Sequence, residues 1–430
     1  MAQQRISFEW VLEDNRSEIW RGAEADGVRP LDRREQRVVT YLVRGMVLLL
    51  VVVAAASGAG MSPEERVRRE AAQGIAFILN LENQAWELRD RGFYESLFDP
   101  NVSDEWEDEW RDVWREGASE DAHYRAELRF VHPTAGLMQA TVVVDQGARE
   151  WSQTSPYREE RFYRRADQRW LRTVPPAEYW GEPRQLETEH LRFLYYARDA
   201  AAVAEAAPQL QSAYVEMYEV LGLVDAPTEK QVIEVVPRPV GRWSVASAAL
   251  EVTSPLLARI PESQSDGDYL AYEIMGWFTY RAVRDSTPNM AVRYLYRWPI
   301  LVWGLRGWLR EDLLPSPSPW RAEAIELLRS VQTDFLPLEL SDITELRGDV
   351  RPTREQVILR YLAAESFIRF VVETRGRGHL PDLLAALVRY GSWEQIVPQL
   401  YGVSVAQFVD DWNQYVVDEY ILHDIGGDQR

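Results

Sequence analysis

Apolar positions fall in four regimes along the chain: one uniformly aliphatic run, a stretch at helical spacing, a stretch that alternates, and then helical spacing almost to the end. From Gly45 to Gly60 the sequence GMVLLLVVVAAASGAG carries no charge. With the residues from Val38 it extends to about 24 residues, ~36 Å of helix and enough to cross a bilayer. Arg44 interrupts it near one end, where a long stem lets the guanidinium stay in water. A transmembrane helix is therefore expected over 38–61. Arginines at 29, 33, 34 and 37 favour an N-terminus inside the cell. Residues 1–37, with charges of both signs and no sustained period, are expected to be a cytoplasmic tail.

Pro63 and Glu64 open a pattern in which Ile75, Ile78, Leu79, Ala85 and Trp86 recur at helical spacing, closed by Arg91 and Gly92. Trp106, Trp110 and Trp114, each four apart, place indoles on one helix face, as packing against a core requires. The period then becomes two: Ala126, Leu128 and Phe130 alternate with polar neighbours, as do Ala140, Val142 and Val144, while 161–165 and 169–173 flank a short Ala-Asp-Gln turn. Helices followed by an antiparallel meander predict an α+β unit. A Pro-rich stretch, 174–183, predicts a linker. Beyond it Leu191, Phe193 and Tyr195 alternate as a strand, Asp199 is placed to cap a helix running to Gly222, and 232–236 predict another strand. Helices follow. Thr353 with Gln356, Ser392 with Gln395, and Ser404 with Gln407 each have the spacing of a capping box.

Composition narrows the chemistry. With no cysteine there is no disulfide, thiol nucleophile or Cys-ligated metal, and a net charge of -20 argues against general nucleic-acid binding. Lys230 is the only lysine, a usage that suggests a GC-rich bacterial genome. No Gly-rich phosphate loop, nucleophile elbow, EF-hand loop or internal repeat is visible.

Two segments carry resemblances. Two helices, a Leu-Phe-Asp-Pro stop at 97–100, and strands ending in ERFYRR and RWLRTVPP resemble an NTF2-like cone domain over 64–176. Asp99, Tyr124 and Asp145 are polar residues that the cone's pocket could present. The segment DYLAYEIMGWFTYRAV (268–283), followed by WPILVWGLRGWLRED (298–312) and the closing GVSVAQFVDDWNQYV, resembles the bacterial peptidase MA-like (gluzincin) domains over 186–420. In those a His-Glu-x-x-His helix and a glutamate from a later helix hold zinc. Matched to that motif, Tyr272 stands at the first histidine, Glu273 at the general base, Gly276 at the second histidine and Trp303 at the third ligand. Neither glycine nor tryptophan coordinates zinc, so the resemblance implies a degenerate site, with no metal and no cofactor. Trp303 is expected to fill the vacated space against Gly276, and Arg306 to pair with Glu273.

The expected organisation is a tail (1–37), a transmembrane helix (38–61), an NTF2-like α+β domain (64–176), a linker (177–185), a mostly helical gluzincin-like domain with a small N-terminal β portion (186–420), and a C-terminal tail (421–430). The function expected is a non-catalytic pseudopeptidase, anchored by a single pass in a bacterial cytoplasmic membrane, whose extracytoplasmic bulk binds a peptide, protein or envelope component. Two alternatives stand beside it: an active zinc metallopeptidase with unorthodox ligands, and a transmembrane sensor signalling to the tail. The residues set neither the oligomeric state nor the ligand.

Overall fold

The computed structural model describes residues 62–117, 123–146, 156–223, 229–240, 249–286, 298–318, 320–344 and 353–422. The chain divides into two units, 1–67 and 68–430. Of the first, the described residues are those from Ser62, whose hydroxyl accepts from the Glu65 amide while Glu65 accepts from the Ser62 amide; this opens helix α1 (Pro63–Glu87). Both 1–37 and the expected span 38–61 lie outside the described residues. Among the described residues no helix is long and apolar enough to cross a membrane. The longest, α1, carries Glu64, Glu65, Arg66, Arg68, Arg69 and Glu70 in its first two turns. The expected fold class is corrected accordingly: the described fold is α+β without a transmembrane helix, and the single-pass membrane assignment has no element among the described residues to carry it.

In the larger unit, Ile75, Ile78, Leu79, Ala85 and Trp86 of α1 are buried as the helical period requires. The helix ends at Glu87, earlier than expected, and Arg91 instead begins a separate short helix, α2 (Arg91–Glu95), capped by Asp90 accepting from the Phe93 amide. Helix α3 (Asp104–Gly117) buries Trp110 and Trp114 and half-buries Trp106, so the indole stripe packs inward. Strands β1 (Tyr124–Thr134), β2 (Leu137–Gln146), β3 (Tyr157–Ala166) and β4 (Arg169–Thr173) form an antiparallel meander in that order. One alternation fails. A register shift between Leu128 and Phe130 turns Phe130 outward, to 54% exposure, and brings Val131 into the core.

Helix α4 (Ala177–Trp180) falls in the Pro-rich stretch, and its Tyr179 and Trp180 are buried against Phe162 of β3. A second sheet follows: β5 (Pro183–Glu187), β6 (Leu191–Tyr196), β7 (Gln231–Val236) and β8 (Ala249–Thr253), in that order, with β5 antiparallel and the rest parallel. The parallel step from β6 to β7 needs a crossover, supplied by helix α5 (Ala200–Val220). A two-residue strand, β9 (Ile260–Pro261), leaves this region and pairs with β3 of the first sheet, and Arg158 beside it reaches Asp266 at 2.7 Å. The remainder is helical: α6 (Asp266–Ser286), α7 (Pro299–Leu313), α8 (Arg321–Phe335), α9 (Arg354–Arg375), α10 (His379–Arg389), α11 (Trp393–Tyr401) and α12 (Val405–Val416). Of the three expected capping boxes, Thr353 with Gln356 is complete, Ser404 accepts from the Gln407 amide, and Ser392 makes no side-chain cap.

Candidate functional site

Helices α6 and α7 bring three of the four motif positions around one buried cation, and that cation comes from a residue the motif does not contain. Gly276 of α6 has no Cβ, and the space is taken by Arg310 of α7: a methyl there would sit 2.4 Å from Arg310 Nη2 and 3.2 Å from Arg306 Cδ. The Arg310 guanidinium, 2% exposed, lies 3.6 Å above the centroid of the Tyr272 ring and 3.8 Å from Glu273 Oε1. The Tyr272 hydroxyl is 3.0 Å from Ser318 Oγ and accepts at 3.0 Å from Trp320 Nε1, which fixes the ring as a floor for the cation. Burial lowers the pKa of Arg310, since the charged form loses hydration that one long ion pair and a ring replace only in part.

One expectation is corrected by this geometry. Trp303 does not fill the space beside Gly276; its ring stacks on Tyr361 of α9, centroids 4.8 Å apart at 15°. The reason is length: from about two turns further along α7 the Arg310 guanidinium reaches the gap. Glu273 faces Arg310, and the Arg306 guanidinium, 5.7 Å from the Tyr280 centroid, is a second positive charge acting on the same carboxylate. The space enclosed by Tyr272, Trp303, Arg306, Arg310, Trp320 and Tyr361 is too small for a water molecule. Among the described residues no three His, Asp or Glu side chains are placed to hold a metal ion. His123 pairs with exposed Asp145, His132 lies on β1, His190 precedes β6, His379 opens α10, and His423 is outside the described residues.

The first sheet holds a second buried cation. Arg161 of β3, 2% exposed, donates from Nη1 to Glu82 of α1 at 2.7 Å, from Nη2 to the Tyr124 hydroxyl at 2.8 Å, and from Nε to Glu159. Tyr124 in turn donates to Glu82. Arg172 stands 3.6 Å from Glu159 and 3.9 Å from Glu82. Burial pushes the Glu159 carboxyl up, but Arg161 and Arg172 outweigh it and hold the group at about 2. Two carboxylates facing two guanidiniums fill the space between α1 and the sheet, and the Tyr94 hydroxyl beside them finds no hydrogen-bond partner among the described residues. Of the three polar residues expected near a pocket, Tyr124 belongs to this cluster, Asp145 is exposed, and Asp99 lies elsewhere, under Arg164.

Asp99 marks an open cleft of about 660 Å3 between α2, α3 and the β3–β4 turn. It accepts from Nε and Nη2 of Arg164, from Thr173 Oγ1 and from the Asn101 amide, and the Arg164 bonds above all hold its carboxyl well below the usual carboxylate range. Sequence reasoning flagged Asp99 but neither the cleft nor Arg310. Arg310 carries no sequence signal of its own, whereas the alternation of β3 does turn Glu159, Arg161 and Tyr163 to one face.

No protein-family model matches this chain, and no curated protein matches it. The NTF2-like and peptidase-like resemblances therefore rest on the quoted residues alone.

Proposed function

We propose that the chain acts by binding a peptide or protein and that its helical part is non-catalytic. The observation that carries the non-catalytic reading is Arg310. In a zinc peptidase the glutamate beside the first ligand polarises a water held on the metal. Here the corresponding Glu273 faces a guanidinium, and the ring of Tyr272 lies under the same cation. A divalent cation at that position would have to displace a buried positive charge, and the neighbours left to coordinate it would be a phenol, one carboxylate and a glycine.

Binding is what the remaining features support: a wide cleft in the first part of the chain, and an acidic surface suited to solubility and partner selection. The test is metal analysis of the purified full chain with casein hydrolysis assayed alongside. No stoichiometric zinc and no chelator-sensitive hydrolysis is the expected result. Near-stoichiometric zinc with hydrolysis that a chelator abolishes would overturn it.

A further inference from the structure

We propose that the cleft between α2, α3 and the β3–β4 turn is a binding site for a carboxylate attached to an aromatic or large apolar group, such as the C-terminus of a peptide or a free aryl acid. The site is distinct from the arginine-filled position on α6 and α7, so the proposal stands whether or not the helical part is catalytic.

Strand register provides the cationic wall. Arg164 pairs with Leu171 and Ala166 with Arg169 across β3 and β4. Residues two apart share a face, so all four present to the same side, and all four line the cleft. Arg164 and Arg169 are thus diagonal neighbours, a relation that places their Cα atoms about 7–8 Å apart with only the methyl of Ala166 beside them. Two guanidiniums at that spacing suit one carboxylate between them.

Their donors are not equally committed. Arg164 gives Nε and Nη2 to the buried carboxylate of Asp99, which orients the guanidinium and leaves Nη1 without a hydrogen bond among the described residues. Arg169 is exposed and has no hydrogen-bond or ion-pair partner among the described residues. The carboxylates on the opposite rim are already engaged: Glu107 holds Arg111 at 2.8 Å, and Glu95 holds Arg91 at 2.8 Å. Asp167, in the turn itself, acts electrostatically on Arg164 and so limits how much negative charge the site accepts.

The apolar wall comes from Phe98 and Trp110, stacked with centroids 4.3 Å apart at 20°, with Leu171 beside them. Arg172 lies 5.6 Å from the Phe98 centroid and 5.8 Å from that of Trp110. A ligand with a flat apolar end and an anionic end matches both walls, and the cleft volume is within the range of small-ligand sites.

Calorimetric titration of the full chain decides the matter, using indole-3-acetate and a hexapeptide ending in tryptophan with a free carboxylate, each against its carboxamide. At least one free acid is expected to bind, with the matching carboxamide about tenfold weaker or worse. Arg169→Glu is expected to weaken the acid by about tenfold or more while the thermal midpoint holds. Arg165→Glu, on the opposite face of the same hairpin and paired with Glu70, keeps wild-type binding. If the peptide alone binds, the ligand is a chain terminus; if indole-3-acetate alone binds, it is a free acid. Equal binding of acid and carboxamide, wild-type affinity in Arg169→Glu, or no binding of either acid at millimolar concentration overturns the proposal.

Discussion

Arg161 and Arg310 are equally buried, each 2% exposed, yet their surroundings are opposite. Arg161 spends all three guanidinium nitrogens on Glu82, Glu159 and Tyr124. Arg310 has one carboxylate at 3.8 Å, an aromatic face at 3.6 Å and an Nε with no hydrogen-bond partner among the described residues. Desolvation costs the two cations alike, but compensation does not. The first is the centre of a balanced network between a helix and a sheet, so its removal exposes other charges. The second fills a gap left by a glycine, and little depends on its charge. A buried arginine by itself therefore says nothing about stability; its partners do.

The largest expected effect breaks the first network. Arg161→Met strands Glu82 and Glu159 in the core, and loss of one partner from a buried ion network costs about 3–5 kcal/mol. Urea unfolding followed by circular dichroism measures it, and a loss below about 1 kcal/mol would show that the carboxylates reach water or protonate without penalty.

Carboxylates sharpen the same contrast through pH. In the first part of the chain Asp99 and Glu159 are held low by arginines; in the second, burial raises Asp199, Glu311 and Asp312. Asp199 is 1% exposed, accepts at 2.6 Å from Ser254 Oγ, leaves Oδ2 without a hydrogen-bond partner among the described residues, and is pushed up to about 6 from the 3.8 of an ordinary aspartate. Burial is the main cause, opposed by Ser254 and reinforced by Asp266. The folded state thus holds its proton more tightly than the unfolded state. Stability from this group is complete below pH 3.8 and is lost as pH rises through about 6, on the order of 3 kcal/mol in all. Glu159 runs the other way: its contribution is present above pH 4.5 and is lost as pH falls toward 2. Asp199→Asn, which keeps an acceptor for Ser254, is expected to be more stable than the parent at pH 7 and to flatten the decline between pH 4 and 6. An unchanged slope would mean that the buried carboxylate is ionised throughout.

Gly276→Ala is a smaller test on the second cation. Alanine gains up to ~1 kcal/mol of helix propensity over glycine, but its methyl meets Arg310 and Arg306, and overpacking costs about 1–3 kcal/mol. A net loss of about 1 kcal/mol is expected by thermal unfolding, and a net gain would show that Arg310 swings away freely.

Patterns with a short period were legible in the sequence, and pairings between distant segments were not. The strand spacing of 124–173 and the helix of 268–283 follow from alternation and from the 3.6-residue turn, because both are local properties of the chain. Phe130 fails because a bulge changes the phase of one strand without changing its composition. Asp199 was expected to cap α5, and it bonds Ser254 instead, a residue 55 positions away that its neighbours do not foretell. The candidate site divides in the same way. Tyr272, Glu273 and Gly276 share one helix, and their spacing marks them. Choosing between Trp303, Arg306 and Arg310 as the group that fills the gap depends on how α7 is rotated against α6, and all three positions face that side of the helix.

The smallest expected effect makes the comparison sharpest. Arg310→Met keeps a long unbranched side chain over Tyr272 and removes a cation whose hydration is replaced only by a distant carboxylate and a ring. The cost of losing the ring contact is about 1–2 kcal/mol, while relief of desolvation is of similar size, so stability is expected to change by less than about 1 kcal/mol. Glu273, already 31% exposed in its side chain, can turn to water once its partner is gone, a route closed to Glu82 and Glu159. In the double variant Gly276→Ala with Arg310→Met, the methyl at 276 meets a flexible thioether rather than a guanidinium, so the penalty of Gly276→Ala is expected to shrink by about half. Measured by urea unfolding, a loss above about 3 kcal/mol for Arg310→Met would place Arg310 in the same class as Arg161 and erase the distinction between the two sites.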